Sequence, residues 1–190
     1  MNLILKKPTF QDKDKWLLYV KEYRKFDQGG HPLNYYANSI YEEWLRYINE
    51  ACQRDGCTNK IPVSVYFVFE SDYLVGTLSI QHSLLNWDLA FYGGHVGYSV
   101  RPSKRGQGYG TQILSLALFE CQKLGLEKIM VSCRRENVAS AKVIENNLGV
   151  LTREVYVLKE NAFYKIYWIH VSRAIEEFKK KNRARVLSIH

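Results

Sequence analysis

The stretch Val96-Gly97-Tyr98-Ser99-Val100-Arg101-Pro102-Ser103-Lys104-Arg105-Gly106-Gln107-Gly108-Tyr109-Gly110-Thr111 places a strand, a cationic glycine-rich turn and a helix start in direct succession. Residues alternate from Val96 to Val100, and Pro102 ends the strand by removing a ladder donor and holding Arg101 in extended geometry. From Thr111 onward Ile113, Leu116, Ala117, Cys121 and Leu124 recur at helical spacing, with Gly125 placed as a stop. The first amides of such a helix have no partner within it, and its aligned peptide dipoles leave about half a positive charge at that end, which suits a phosphate. Gly106, Gly108 and Gly110 let the backbone approach a ligand closely, while Lys104 and Arg105 add full charges.

Several readings of this turn compete. A glycine-rich turn with two basic residues also occurs as a plain solvated loop. The dinucleotide fingerprint needs Gly-x-Gly-x-x-Gly and an acidic residue about twenty positions further on, but the chain has Gly-x-Gly-x-Gly and the apolar run after Lys128 there. A nucleotide-hydrolase phosphate loop ends in Gly-Lys-Ser/Thr, which is absent.

A second segment decides among them. Arg105-x-x-Gly108-x-Gly110 is followed by Asn137-Val138-Ala139-Ser140-Ala141-Lys142-Val143-Ile144-Glu145-Asn146-Asn147-Leu148-Gly149. Together they resemble the paired acetyl-CoA motifs of the GNAT acetyltransferase superfamily, the first for the pyrophosphate and the second opening a helix beside the pantetheine arm. Gln81 to Asn86 and Gly93 to Tyr98 are similar to a bacterial subgroup of acetyltransferases. The resemblance runs from Leu3 to Val171 and is specific in its cofactor half.

What the resemblance implies is an α+β fold, a central mixed but mostly antiparallel sheet of about seven strands flanked by about four helices. It implies acetyl-CoA as cosubstrate, no metal, and transfer of the acetyl group to a primary amine of a small molecule or peptide. A catalytically degenerate acyl-CoA-binding module is the alternative. The pyrophosphate falls to Arg105, Gly106, Gln107, Gly108, Tyr109, Gly110 and Thr111, the pantetheine and acetyl groups to main chain at Tyr98, Ser99 and Val100, and the pantetheine amides to Asn137. For the proton of the attacking amine His95 ranks first, ahead of Glu70, His82 and Asp88; a hydrogen-bonded strand histidine, a base acting through water and no dedicated base are the other readings. Many relatives carry a tyrosine seven positions after the asparagine to meet the departing sulfur; here that residue is Ile144, so Ser140 takes the catalytic candidacy, with Tyr156 and Tyr164 behind it. Ser140 capping its own helix is the competing account.

Composition is consistent with these expectations. At 190 residues with 46% hydrophobic and 24% charged residues, the chain suits one globular domain, read as 1–172, with a basic helix or tail at 173–190. That tail holds six Lys/Arg and two acids, half of the net charge of +8. The remainder suits an anionic cofactor, so nucleic acid is not expected as a partner. No run reaches membrane-span length and no signal-peptide core precedes Lys6, which points to the cytoplasm, as monomer or homodimer. Cys52, Cys57, Cys121 and Cys133 lack metal-ligand spacing and read as reduced.

In chain order, Leu3 to Lys6 reads as a strand and Thr9 to Asp12 as a capping arrangement before a helix ending near Phe26, with Trp16, Leu17, Tyr19, Val20 and Tyr23 on its apolar side. Asp27 to Asn34 is a candidate lid. Tyr41, Trp44, Leu45 and Ile48 mark the next helix, Pro62 to Gln81 a hairpin, and Leu84 to Tyr92 a long connection. Lys128 to Cys133, Leu151 to Leu158 and Phe163 to Val171 are the later strands.

Overall fold

The computed structural model describes residues 2–26, 40–52 and 61–187. The candidate lid at Asp27 to Asn34 and Cys57 lie outside them. The described elements are β1 (Leu3–Lys6), α1 (Lys13–Phe26), α2 (Tyr41–Cys52), β2 (Val63–Glu70), β3 (Tyr73–Gln81), β4 (Val96–Val100), α3 (Tyr109–Lys123), β5 (Lys128–Arg134), α4 (Val138–Asn146), β6 (Val150–Val157), β7 (Ala162–His170) and α5 (Val171–Leu187).

The seven strands form two antiparallel sheets, ordered β1-β2-β3-β4 and β5-β7-β6. The hairpin expected between Pro62 and Gln81 is present, with Ser71 in the left-handed region at its turn (φ 54°). The strand–helix–strand crossover runs β4-α3-β5, yet these two strands share no ladder. Their separation is the central fact of the fold, because it opens the middle of the molecule.

Two apolar clusters hold the layers together. One gathers Trp16, Tyr19, Val20 and Tyr23 of α1 and Tyr41, Trp44, Leu45 and Ile48 of α2 against Phe67 and Phe69 of β2. Trp16 and Trp44 stack there at 5.0 Å with their rings 1° from parallel, an arrangement that adds to the area buried by such large side chains. Leu17, read from the sequence as part of that face, is exposed instead. The Asp12 carboxylate accepts from the Thr9 N–H at 2.9 Å and the Thr9 hydroxyl at 2.7 Å, which sets the entry to α1.

The other cluster lies under α3. Its buried stripe is Ile113, Leu114, Ala117, Leu118 and Cys121. Of the residues chosen from spacing, Leu116 is half-buried at the edge of the stripe, and Leu124, which follows the last residue of α3, is exposed. Residues 173–187, read from the sequence as a basic helix or tail, belong to the helix α5, and Val171, Ala174 and Ile175 are buried in this cluster. Cys121 and Cys133 are free and buried; burial pushes their thiols up to about 12 and about 11.

Candidate cofactor cleft

The glycine turn is built by backbone conformation that its sequence permits. Gly106 and Gly108 have φ of +73° and +86°, values that side chains with a Cβ adopt only with strain. Gly108 caps α3, and the first helical bond runs from the Gln112 N–H to the Gly108 carbonyl at 3.2 Å. The amides of Tyr109, Gly110 and Thr111 therefore face outward at the positive end of a 15-residue helix.

β4 supplies a second set of main-chain groups. In its antiparallel pairing with β3, Arg101 N–H donates to Val75 O, so Arg101, Ser99 and Gly97 turn their polar groups toward β3. By the same alternation Val96, Tyr98 and Val100 turn theirs toward the side where β5 would lie. With no ladder there, that edge is available to a ligand.

α4 closes the opposite wall. The Asn137 side-chain oxygen accepts from the Ser140 N–H at 3.0 Å and caps this helix. The cap is thus Asn137 and not Ser140. The Ser140 hydroxyl is instead 2.8 Å from the Tyr98 hydroxyl, across the opening from β4. Burial holds the Tyr98 phenol above its ordinary range, so it stays neutral and able to donate. Asn147, missed in the sequence, fixes α4 to α3: its amide nitrogen donates to Thr111 O at 3.1 Å and Val143 O at 2.9 Å, and its oxygen accepts from Ser115 at 2.7 Å. Gly110 permits this approach, since a Cβ there would meet the Val143 Cγ2 at 3.0 Å.

α1 braces the turn from the other side. Glu22 accepts from the Arg101 Nε at 2.6 Å and from the Ser103 N–H at 2.8 Å, while Arg101 also donates to Leu74 O at 3.0 Å. Burial raises the Glu22 carboxyl, but the hydrogen bonds from Arg101 and Ser103 outweigh it and leave the group below the usual carboxylate range. Behind β4 a buried chain links Tyr19 OH, Ser99 Oγ and Thr77 Oγ1 at 2.7 and 2.6 Å. None of these pairs was readable from sequence, because each joins residues far apart along the chain.

The resulting cleft has a volume of about 770 Å³. Of the sequence-predicted residues, Tyr98, Ser99, Val100, Arg105, Gly106, Gly108, Tyr109, Gly110, Thr111, Asn137 and Ser140 line it; Gln107 and His95 do not. Tyr23 and Phe26 of α1 and Lys142 of α4 join them. Lys104 and Arg105 stand on one wall and Lys142 on the other. The Tyr109 hydroxyl and then Glu70 hold Lys104 above the ordinary lysine range, and Tyr109 donates to Glu70 at 2.5 Å.

His95 is placed elsewhere. It is 6% exposed, and its Nδ1 accepts from the Met130 N–H at 2.9 Å. Burial lowers its pKa, with the Met130 hydrogen bond opposing. Tyr156 bonds Asn161 and Tyr164 packs on Tyr92, so neither reaches the cleft. Ile144 is fully buried in the core under α3. Among the described residues no group of three or more His, Cys, Asp or Glu is arranged to hold a metal, and no helix is long and apolar enough to cross a membrane.

The cleft thus sets the basic helix start of α3 beside an unpaired strand edge of β4. The chain belongs to the acetyltransferase (GNAT) domain family, whose model matches residues 2–147. No curated protein matches the chain at a significant level. Among solved structures it is similar to RimL, a ribosomal L7/L12 alpha-N-protein acetyltransferase in complex with coenzyme A (20% identity, 90% of this chain and 94% of that one, TM-score 0.69). It is similar also to Mycobacterium smegmatis RimJ in complex with CoA-disulfide (15%, 95% and 90%, 0.72), and to the microcin C7 self-immunity acetyltransferase MccE with acetyl-CoA and AMP (15%, 88% and 92%, 0.67). These likenesses establish the GNAT fold.

Proposed function

We propose that this protein is an N-acetyltransferase that takes acetyl-CoA as donor and a primary amine of a small molecule or peptide as acceptor. The observation that carries the reading is the pairing of the Gly106–Thr111 cradle with the open edge of β4 and the capped start of α4 around one cleft. The donor set fits coenzyme A: helix-end amides, Arg105 and Lys142 for phosphate charge, and strand amides and carbonyls for the pantetheine amides. When bound, acetyl-CoA supplies an activated acyl thioester.

The chain's own groups perform the rest. The cradle and strand edge hold the donor in one orientation, and such alignment of two reactants contributes roughly 7–11 kcal/mol. A main-chain N–H at Tyr98 or Val100 is the donor assigned to the developing oxyanion, a contribution of about 3–4 kcal/mol for a well-placed donor. Ser140, hydrogen-bonded to neutral Tyr98, is the group that donates a hydrogen bond to the departing thiolate, which takes its proton from water. With thiol pKa values about 8.5, such help adds to an already fair leaving group. His95 has no place in this scheme; the amine loses its proton to water.

The test is to incubate the protein with acetyl-CoA and a panel of amines, peptide N-termini and polyamines included, and follow free thiol. Acetylation of any of them supports the reading. A protein that binds acetyl-CoA and accelerates none is the acyl-CoA-binding module instead, the alternative that the buried Ile144 favours.

A further inference from the structure

We infer that His95 is a positioning residue: it pins the point at which β4 parts from β5 and so sets the opening of the cofactor cleft. The inference rests on the acetyl-CoA reading above.

The polar groups of His95 serve both sheets. Its carbonyl accepts from the Gln81 N–H at 2.7 Å, extending the β3–β4 ladder, and its N–H donates to Met130 O of β5 at 2.8 Å. Its ring Nδ1 accepts from the N–H of that same Met130 at 2.9 Å. In a continued parallel ladder a β4 carbonyl would take the Met130 N–H. Here a side chain takes it, so the buried amide of a residue only 1% exposed is satisfied without β4 running on beside β5. The chain reaches this point through Gly94, whose φ is +78° and where a Cβ would lie 2.6 Å from Met130 O. Ser132 of β5 donates to Tyr92 O just before it. Trp168 of β7 packs edge-on against the ring at 6.3 Å.

Beyond this junction β4 stays with β3 from Val96↔Ile80 to Val100↔Gly76, and β5 stays with β7 from Met130↔Trp168 to Arg134↔Tyr164. Tyr98, Ser99 and Val100, which line the cleft, are the residues that follow the junction. A ring held by Met130 on one edge fixes where the gap begins, and hence how far the strand edge stands from Ser140.

Asparagine separates this role from that of a base. Its Oδ1 occupies the place of Nδ1 and accepts a hydrogen bond, but it takes up no proton. The experiment compares His95→Asn and His95→Ala by calorimetry with CoA, amide exchange of Met130, and the pH profile of acetyl transfer to an amine that the wild type uses. In His95→Ala, Met130 exchange quickens by about 10–100-fold because a buried donor is left unpaired, and CoA binds at least 10-fold more weakly. His95→Asn keeps both within about 3-fold of wild type and retains the pH profile.

Unchanged CoA affinity in a folded His95→Ala protein overturns the inference, as does a His95→Asn protein that binds CoA as poorly as His95→Ala. If His95→Asn binds CoA normally but turns over about 10²–10⁴-fold more slowly and loses its acidic limb, His95 is a base. Should His95→Ala not fold, the Asn variant decides alone: CoA affinity and Met130 exchange within about 3-fold of wild type support the inference, and CoA binding at least about 10-fold weaker overturns it. A wild-type protein that fails to bind CoA sinks the cofactor reading, while Met130 exchange still reports on the junction.

Discussion

Gly108 and Gly125 stand at the two ends of α3 and make a matched pair. Both have positive φ, +86° and +74°, and a Cβ at Gly125 would meet nothing within 4 Å. Replacing either with alanine forces a left-handed residue at a penalty of about 1–2 kcal/mol. For a chain of this size that lowers the melting temperature by about 2–8 °C. At Gly125 that is the entire effect. At Gly108 the same strain acts on the residue that aims the amides of Tyr109, Gly110 and Thr111. Any relaxation of the turn to relieve it moves donors off the pyrophosphate, and a hydrogen bond to a charged group contributes about 1.5–3 kcal/mol. Gly108→Ala is therefore expected to weaken CoA by about 10–150-fold, and Gly108→Val by more. Isothermal calorimetry with CoA, beside thermal melts of all three proteins, makes the measurement. Equal CoA affinity in Gly108→Ala and Gly125→Ala would refute the assignment of the cradle.

Glu22→Ala leaves the Arg101 guanidinium, in a residue 5% exposed, without its carboxylate, and should destabilise the protein by about 3 kcal/mol in urea, with Glu22→Gln recovering part through the Ser103 N–H; a loss under 1 kcal/mol would mean that water replaces the pair. Asn147→Ala removes the bonds to Ser115 and Thr111 that join α4 to α3 and the bond to Val143 O, while Ser115 keeps Thr111 O as partner, so a loss of about 1–3 kcal/mol is expected from the same measurement. Burial, first in each case, holds His82 and His95 below the ordinary histidine range. The unfolded chain then takes up protons first as pH falls, so their contribution to stability is complete above about pH 6.5 and declines below it. Urea midpoints that rise as pH drops from 6.5 toward 5 would contradict this. Truncation after Ser172 removes the buried Ala174 and Ile175; burial of an isoleucine alone contributes about 2–5 kcal/mol, so the shortened chain should melt well below the intact one.

Much of the backbone that lines the cleft was readable because it is local. Gly106, Gly108, Gly110 and Asn137 act through the backbone within one turn of their own position, and a sequence pattern records local demands of that kind. The helix stop at Gly125, the Thr9–Asp12 cap and the apolar faces of α1 and α2 follow for the same reason: φ, capping and periodicity depend on neighbours along the chain. The sequence left 173–190 open between helix and tail, because charge hides periodicity; Val171, Ala174 and Ile175 are buried at the start of α5, ahead of its lysines.

Other features depend on contacts between distant residues. Glu22 meets Arg101 across 79 positions, Tyr19 meets Ser99 across 80, and Met130 meets His95 across 35. His95 in particular has the residue type of a base and the sequence position of one. The structure buries it and sets the Met130 amide at its Nδ1, and on that geometry rests the proposal that it positions β4. The amino-acid sequence by itself determined the glycine turn, the capped second helix and so the class of ligand they suit, because those are properties of backbone conformation and local charge. Tertiary structure alone decided where the sheet divides, which side chains face the gap and which are buried beside it, since a hydrogen bond between distant residues exists only after the chain has folded.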